Sequence, residues 1–205
     1  MKASKYLMIF AVLFLIISGC EEDGVQNKIK VIGTVPIVIK TLDLSSFNKI
    51  ANTGMADFYI TIGSTQSVVL KAQQNIIDVM TYEVVNQSLK IGLDKNVTIE
   101  DHEYIRFEIT IPEIKDIELT GVGDFELSGN DQNVLTVRLT GVGNINAYEM
   151  KVNTCNITLT GVGDCKVHVL NDLNVTLTGV GYVYYKGNPS INSKITGIGK
   201  LINDN

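Results

Sequence analysis

Leu119-Thr120-Gly121-Val122-Gly123 recurs as Leu139–Gly143, as Leu159–Gly163 and as Leu177–Gly181, and once more as Ile195-Thr196-Gly197-Ile198-Gly199. The successive offsets are 20, 20, 18 and 18 residues. Five near-copies at almost constant spacing mark stacked repeats, each too small to bury an apolar face alone. Aligning them produces columns. Leu119, Leu139, Leu159, Leu177 and Ile195 form one, and Phe125, Ile145, Cys165, Val183 and Leu201 another. Leu127, Ala147, Val167 and Tyr185 form a third, and Leu135, Cys155, Leu173 and Ile191 a fourth. Val122, Val142, Val162, Val180 and Ile198 form a fifth. Apolar columns that alternate with polar neighbours are what parallel strands produce when they stack about 4.8 Å apart.

Within each coil, Thr-Gly-Val-Gly reads as a corner between two short strands. Glycine permits the sharp bend or close backbone approach such a corner needs, and the leucine and valine are expected to point inside. Ser128-Gly129-Asn130-Asp131, Lys151-Val152-Asn153, Asn171-Asp172 and Gly187-Asn188-Pro189 supply turn chemistry for the second corner. The step from 20 to 18 residues falls between Val167 and Leu173. Outside, Thr120, Thr140, Thr160, Thr178 and Thr196 form a threonine row, and Asn156, Asn174 and Asn192 an asparagine row. Such rows can hydrogen-bond along the stack.

The N-terminal half carries the same signal less regularly. Period-two alternation marks half-buried strands at Phe58–Ile62, Val68–Leu70, Val79–Val85, Leu89–Leu93 and Ile105–Ile111. Asn86-Gln87 reads as a turn, and Pro36 within the apolar run Val35–Ile39 marks an edge or a strand start. Asn52-Thr53-Gly54-Met55-Ala56-Asp57-Phe58 is a degraded copy of Leu119–Phe125, with Met55-Ala56 where a second glycine is expected.

Residues 1–19 are read as a lipoprotein signal peptide. Lys2 and Lys5 precede an apolar run from Tyr6 to Ile17, and Ile17-Ser18-Gly19-Cys20 follows. That end resembles the lipobox of bacterial lipoproteins, in which Cys20 would be acylated and carry the membrane attachment. Residues 20–30 form an acidic, polar tether, and 31–205 the β domain with regular repeats at 117–202. Glu21-Glu22-Asp23 is either a solvated tether or an address, since it resembles surface-export signals of some Gram-negative lipoproteins. Removing 1–19 leaves 15 Lys and Arg against 22 Asp and Glu, a net of −7. That balance argues against a nucleic-acid partner and against adsorption to anionic membrane. Cys155 and Cys165 fall in inward columns and read as buried thiols rather than a bridge.

A search for chemistry returns little. Only His102 and His168 are present, and neither belongs to a cluster with zinc-ligand spacing. Gly-Val-Gly lacks the third glycine and the following helix of a dinucleotide fingerprint. Asp124 and Asp164 share a column two rungs apart, about 9.6 Å at strand spacing, too far to share an ion. No serine elbow is present. No catalytic residue, metal or cofactor is assigned. Tyr182 and Tyr184 stand out as an outward aromatic pair, candidate contacts for a glycan or protein ligand.

Phe47-Asn48-Lys49-Ile50, Gly54, Asp57-Phe58-Tyr59-Ile60, Gly63, Leu89-Lys90-Ile91, Ile111-Pro112, Ile117 and the repeated Gly-Val-Gly-Asp resemble, in this order, the head GIN domain of auto-transporter adhesins (DUF2807). The resemblance spans roughly 42–205. It implies a right-handed parallel β-helix (β-solenoid), less regular in its N-terminal half, on an exported and lipid-anchored bacterial protein. The family supplies no catalytic residues. The functional expectation is a non-catalytic outer-membrane lipoprotein, displayed toward the cell surface, that binds a glycan or protein or acts as a scaffold. Two alternatives stand beside it: a carbohydrate-active β-helix enzyme, and an envelope element that forms homo-oligomers through the open end of its stack.

Overall fold

A computed structural model describes residues 28–34 and 36–205. The signal peptide, Cys20 and the acidic cluster lie outside the described residues. The fold is all-β. The order is β1 (Ile29–Ile32), β2 (Ile37–Thr41), β3 (Lys49–Asn52), β4 (Asp57–Ile62), β5 (Ser67–Gln73), a single turn of helix α1 (Gln74–Ile77), β6 (Met80–Val85) and β7 (Ser88–Leu93). Then come β8 (Val97–Asp101), β9 (Arg106–Ile111), β10 (Asp116–Leu119), β11 (Phe125–Gly129), β12 (Gln132–Leu139), β13 (Ile145–Leu159), β14 (Cys165–Leu177), β15 (Val183–Lys186), β16 (Ser190–Ile195) and β17 (Leu201–Asn203). β1 begins inside the stretch read as tether and pairs with β8.

The repeats stack as the columns require. One parallel ladder runs β7, β3, β10, β12, then the second half of β13, the second half of β14, and β16. A second runs β9, β4, β11, then the first half of β13, the first half of β14, β15 and β17. Between them the corners form a third line of parallel bridges, Met55–Val122–Val142–Val162–Val180–Ile198. Met55 therefore occupies the place the degraded copy assigned to it, with Asn52 opposite Leu119 and Phe58 opposite Phe125. The 20-to-18 change is absorbed by register shifts in the β13–β14 pairing before Cys155 meets Leu173. Lys151–Asn153, read as a turn, lies within β13, and Val152 there is buried.

The sheet as a whole is mixed, which departs from a purely parallel stack. β5 joins antiparallel on β9, β2 joins antiparallel on β5, and β6 joins antiparallel on β7. The tight turn at Asn86-Gln87, both at positive φ, makes the β6–β7 hairpin local. A two-residue connection can only return the chain antiparallel. β2 forms the edge beside β5 and starts directly after Pro36.

The interior is apolar and close-packed. Phe107, Phe58 and Phe125 stack on successive rungs, with centroids 5.3 and 4.2 Å apart and rings within 11° of parallel. Cys155 and Cys165 are buried free thiols. Burial pushes both thiols up, Cys165 to about 12. Asn52 fills the leucine column at its start. Its side chain is satisfied there, accepting from Gly54 N at 3.0 Å and donating to Val122 O at 3.2 Å.

The valine column is the principal correction. Val122, Val142, Val162 and Val180 are 45–51% exposed and line the outside of the stack. The flanking glycines are fixed by the neighbouring rung, whose backbone fills the space a side chain would need. A Cβ on Gly141 would lie 1.9 Å from Gly121 O, and one on Gly143 1.9 Å from Gly123 O. Successive rungs come too close for a side chain, so the residue between the glycines projects outward. Ile191 and Ile195, also assigned inward, are exposed on the last rung.

Candidate functional site

The ladder β9–β4–β11–β13–β14–β15 turns one set of side chains into the core and presents two parallel rows to solvent. The first row is Arg106, Asp57, Asp124, Asn144, Asp164 and Tyr182. The second is Glu108, Tyr59, Glu126, Asn146, Lys166 and Tyr184. Strand alternation puts residues i and i+2 on one face, so the rows lie side by side.

The first row is a chain of caps. Asp57 Oδ1 accepts from Asp124 N at 3.1 Å, and Asp124 Oδ1 from Asn144 N at 2.6 Å. Asn144 Oδ1 accepts from Asp164 N at 3.0 Å, and Asp164 Oδ1 from Tyr182 N at 2.8 Å. Each side chain satisfies an amide one rung along, where the chain leaves the corner and enters the strand. Among the described residues, Asp124 Oδ2 and Asp164 Oδ2 make no protein hydrogen bond. Sequence spacing alone sets Asp124 and Asp164 two rungs apart, too far to share an ion. Their capping role depends on which amides the corner leaves unpaired.

Aromatic rings close both ends of the strip. Tyr182 and Tyr184 lie together, centroids 6.0 Å apart, with Lys166 Nζ 5.7 Å from the Tyr184 ring. Desolvation first, then the charge of Asp164, pushes the Tyr184 phenol above its ordinary value, so it is neutral at physiological pH. Beside them Tyr148 donates to Asp204 Oδ2 at 2.8 Å and carries Lys186 Nζ 4.4 Å over its ring. At the other end the Arg106 guanidinium lies 4.6 Å from the Tyr59 ring and 5.1 Å from Tyr104. The sequence reading found the Tyr182–Tyr184 end and missed the Tyr59–Arg106–Tyr104 end. Tyr59 comes from one segment and Tyr104 and Arg106 from another, and only the β4–β9 pairing brings them together.

Three shallow clefts run along the strip, of about 400, 420 and 330 Å³. The first two share Tyr59, and the second and third share Glu126. No group of three or more His, Cys, Asp or Glu side chains placed to hold a metal ion occurs among the described residues. His102 gathers no acids; its Nε2 contacts Met55 Sδ at 2.7 Å.

Residues 46–134 and 116–189 match the family model described as "Putative auto-transporter adhesin, head GIN domain". The chain belongs to this GIN-domain family. Two solved structures share the fold. A "putative adhesin" from Bacteroides fragilis superposes with a TM-score of 0.61 at 20% identity, covering 85% of this chain and 99% of its own. A "putative lipid binding protein" from Parabacteroides distasonis gives 0.51 at 18% identity, covering 86% and 100%. No curated protein matches. No helix among the described residues is long and apolar enough to cross a membrane.

Proposed function

We propose that this GIN-domain chain is a non-catalytic binding module of the bacterial envelope, held to the outer membrane by lipid on Cys20 and directed toward the cell surface. Family membership, in a group described as adhesin heads, is the observation that carries the reading. The strip supports it. Its carboxylates cap backbone amides instead of converging on a reacting point, and its tyrosines face solvent on a rigid sheet. General acid–base work on a glycosidic bond needs two carboxyl groups facing each other across the substrate. Asp124 and Asp164 instead lie along one row. In the same reading, the stacked circuits wind as a right-handed parallel β-helix, the hand that twisted parallel strands favour at their crossovers.

Two measurements test the role. Cys20→Ala should move the protein from the detergent phase to the aqueous phase on temperature-induced phase separation. Purified Cys20→Ala protein coupled to beads should adhere to cell surfaces and release no product from a panel of polysaccharides. Detergent-phase partitioning of Cys20→Ala would sink the anchor, and turnover on any polysaccharide would sink the non-catalytic assignment.

A further inference from the structure

We infer that the two-row strip between Tyr59 and Tyr184 is a lengthwise binding site for an extended, uncharged oligosaccharide. This rests on the binding-module reading and names its ligand class and its site. The length follows from the register. Tyr59, Glu126, Asn146, Lys166 and Tyr184 occupy five successive rungs. Four rung intervals span about 19 Å at the usual strand spacing. An extended pyranose chain advances by close to one rung per sugar, so about five sugars would lie between the two aromatic ends.

The chemistry matches a sugar better than a peptide or an anion. The aromatic rings offer flat apolar faces for the C–H face of a pyranose, at the two ends of the strip. The stretch between offers carboxylates, amides and an ammonium, which are the partners hydroxyl groups need. Asp124 Oδ2 and Asp164 Oδ2 have no protein partner among the described residues, while their Oδ1 atoms are held by backbone amides. Asn146 Nδ2 donates to Glu126 Oε2 at 2.9 Å, which fixes both groups. Arg106 and Lys166 pack against the terminal rings. A site already held in place loses little freedom on binding.

Charge decides among glycans. Asp57, Asp124, Glu126, Glu149 and Asp164 on or beside the strip outnumber Arg106 and Lys166, and the whole chain carries a net of −5. Sulfated or uronic-acid chains would meet repulsion along most of the strip. A protein partner would need an apolar centre to the interface, which a polar strip closed by tyrosines lacks.

The test uses the full mature chain in detergent. The probes are linear neutral gluco- and manno-oligosaccharides of graded length, read by calorimetry and by the intrinsic fluorescence of the tyrosines. Affinity should rise with chain length and level off at about five sugars, the number set by the rung count. Tyr59→Ala and Tyr184→Ala should each weaken the longest ligand by about fivefold to tenfold while barely changing the shortest. Thr158→Ala, exposed on the separate β12–β13–β14 ladder, should leave binding unchanged. The proposal is overturned by absence of binding to every neutral oligosaccharide, by preference for acidic glycans, or by full binding in a folded Tyr59→Ala/Tyr184→Ala variant. Bead adhesion that is abolished by protease treatment of the cells and indifferent to both tyrosines would preserve the binding role and overturn the glycan site.

Discussion

Gly141→Ala tests the central mechanical claim, that the corners hold successive rungs too close for any side chain. A Cβ at this position would sit 1.9 Å from Gly121 O, 2.5 Å from Thr120 O and 2.6 Å from Thr120 C. All three are backbone atoms of the neighbouring rung, so no rotamer change relieves the overlap. Reaching an ordinary contact of 3.4 Å requires the rungs to separate locally by about 1.5 Å, roughly a third of their spacing. That opening would stretch Val142 N→Gly121 O (3.0 Å), Gly141 N→Leu119 O (2.9 Å) and Thr140 N→Leu119 O (2.8 Å) beyond hydrogen-bond reach. At about 0.5–1.5 kcal/mol net for each bond, the expected loss is roughly 2–4 kcal/mol. Gly63→Ala is the control, because its Cβ would meet only the Thr110 methyl, at 3.0 Å. Its cost should stay below about 1 kcal/mol, partly offset by reduced freedom of the unfolded chain. Urea unfolding followed by circular dichroism compares the two through their midpoints at constant slope. Gly141→Ala within about 1 kcal/mol of the parent would refute the close approach.

Further outcomes follow from the same structure. Phe58→Ala removes the middle ring of the Phe107–Phe58–Phe125 stack and should cost about 3–5 kcal/mol in the same unfolding assay. Asp124→Ala removes the acceptor for Asn144 N and Nδ2 and should cost about 1 kcal/mol. Asp124→Asn should recover most of that, since an amide oxygen still accepts; equal loss in both variants would assign the effect to charge. Cys155 and Cys165 should resist a thiol reagent in the folded state and react fully in denaturant. The unfolded Cys165 thiol ionises near its ordinary value, about 8.5, whereas the folded one keeps its proton to about 12. The unfolded state therefore binds fewer protons in that window, and this term lowers stability as pH rises through it. Cys165→Ser should flatten the alkaline part of the stability curve, and an unchanged slope would count against the burial argument.

The repeat was legible because its period is short and its columns are local arithmetic. Leu119, Phe125 and Leu135 with their copies could be placed in the core up to the last rung, where Ile191 and Ile195 are exposed, and Met55 in the valine line, without coordinates. The direction of Val122 was also legible in principle. Strict alternation from Leu119 to Phe125 puts Gly121 and Gly123 inward and Val122 outward. The hydrophobicity of the column outweighed that parity, because apolar residues at a fixed period normally mark a core. The candidate site was legible at one end only. Tyr182 and Tyr184 are two residues apart on one strand, so their shared face follows from the pleat. Tyr59, Tyr104 and Arg106 meet only through a pairing between segments some 45 residues apart, which no local pattern encodes.

By itself, then, the sequence determined what repeats: the rung length, the inward columns, the glycine corners and the outward tyrosine pair. These depend on a two-residue pleat and a fixed period, both countable along the chain. Tertiary structure decided what neighbours what. It set β5 and β6 antiparallel on an otherwise parallel stack, with β2 antiparallel beyond β5. It turned the aspartate row into caps for the next rung's amides. It showed that Leu119-Thr120-Gly121-Val122-Gly123 buries its leucine, keeps its glycines because the next backbone fills their side-chain space, and sends its valine to solvent. Each of these depends on atoms a full rung away, at a distance along the chain that sequence can count but at a separation in space that only folding sets.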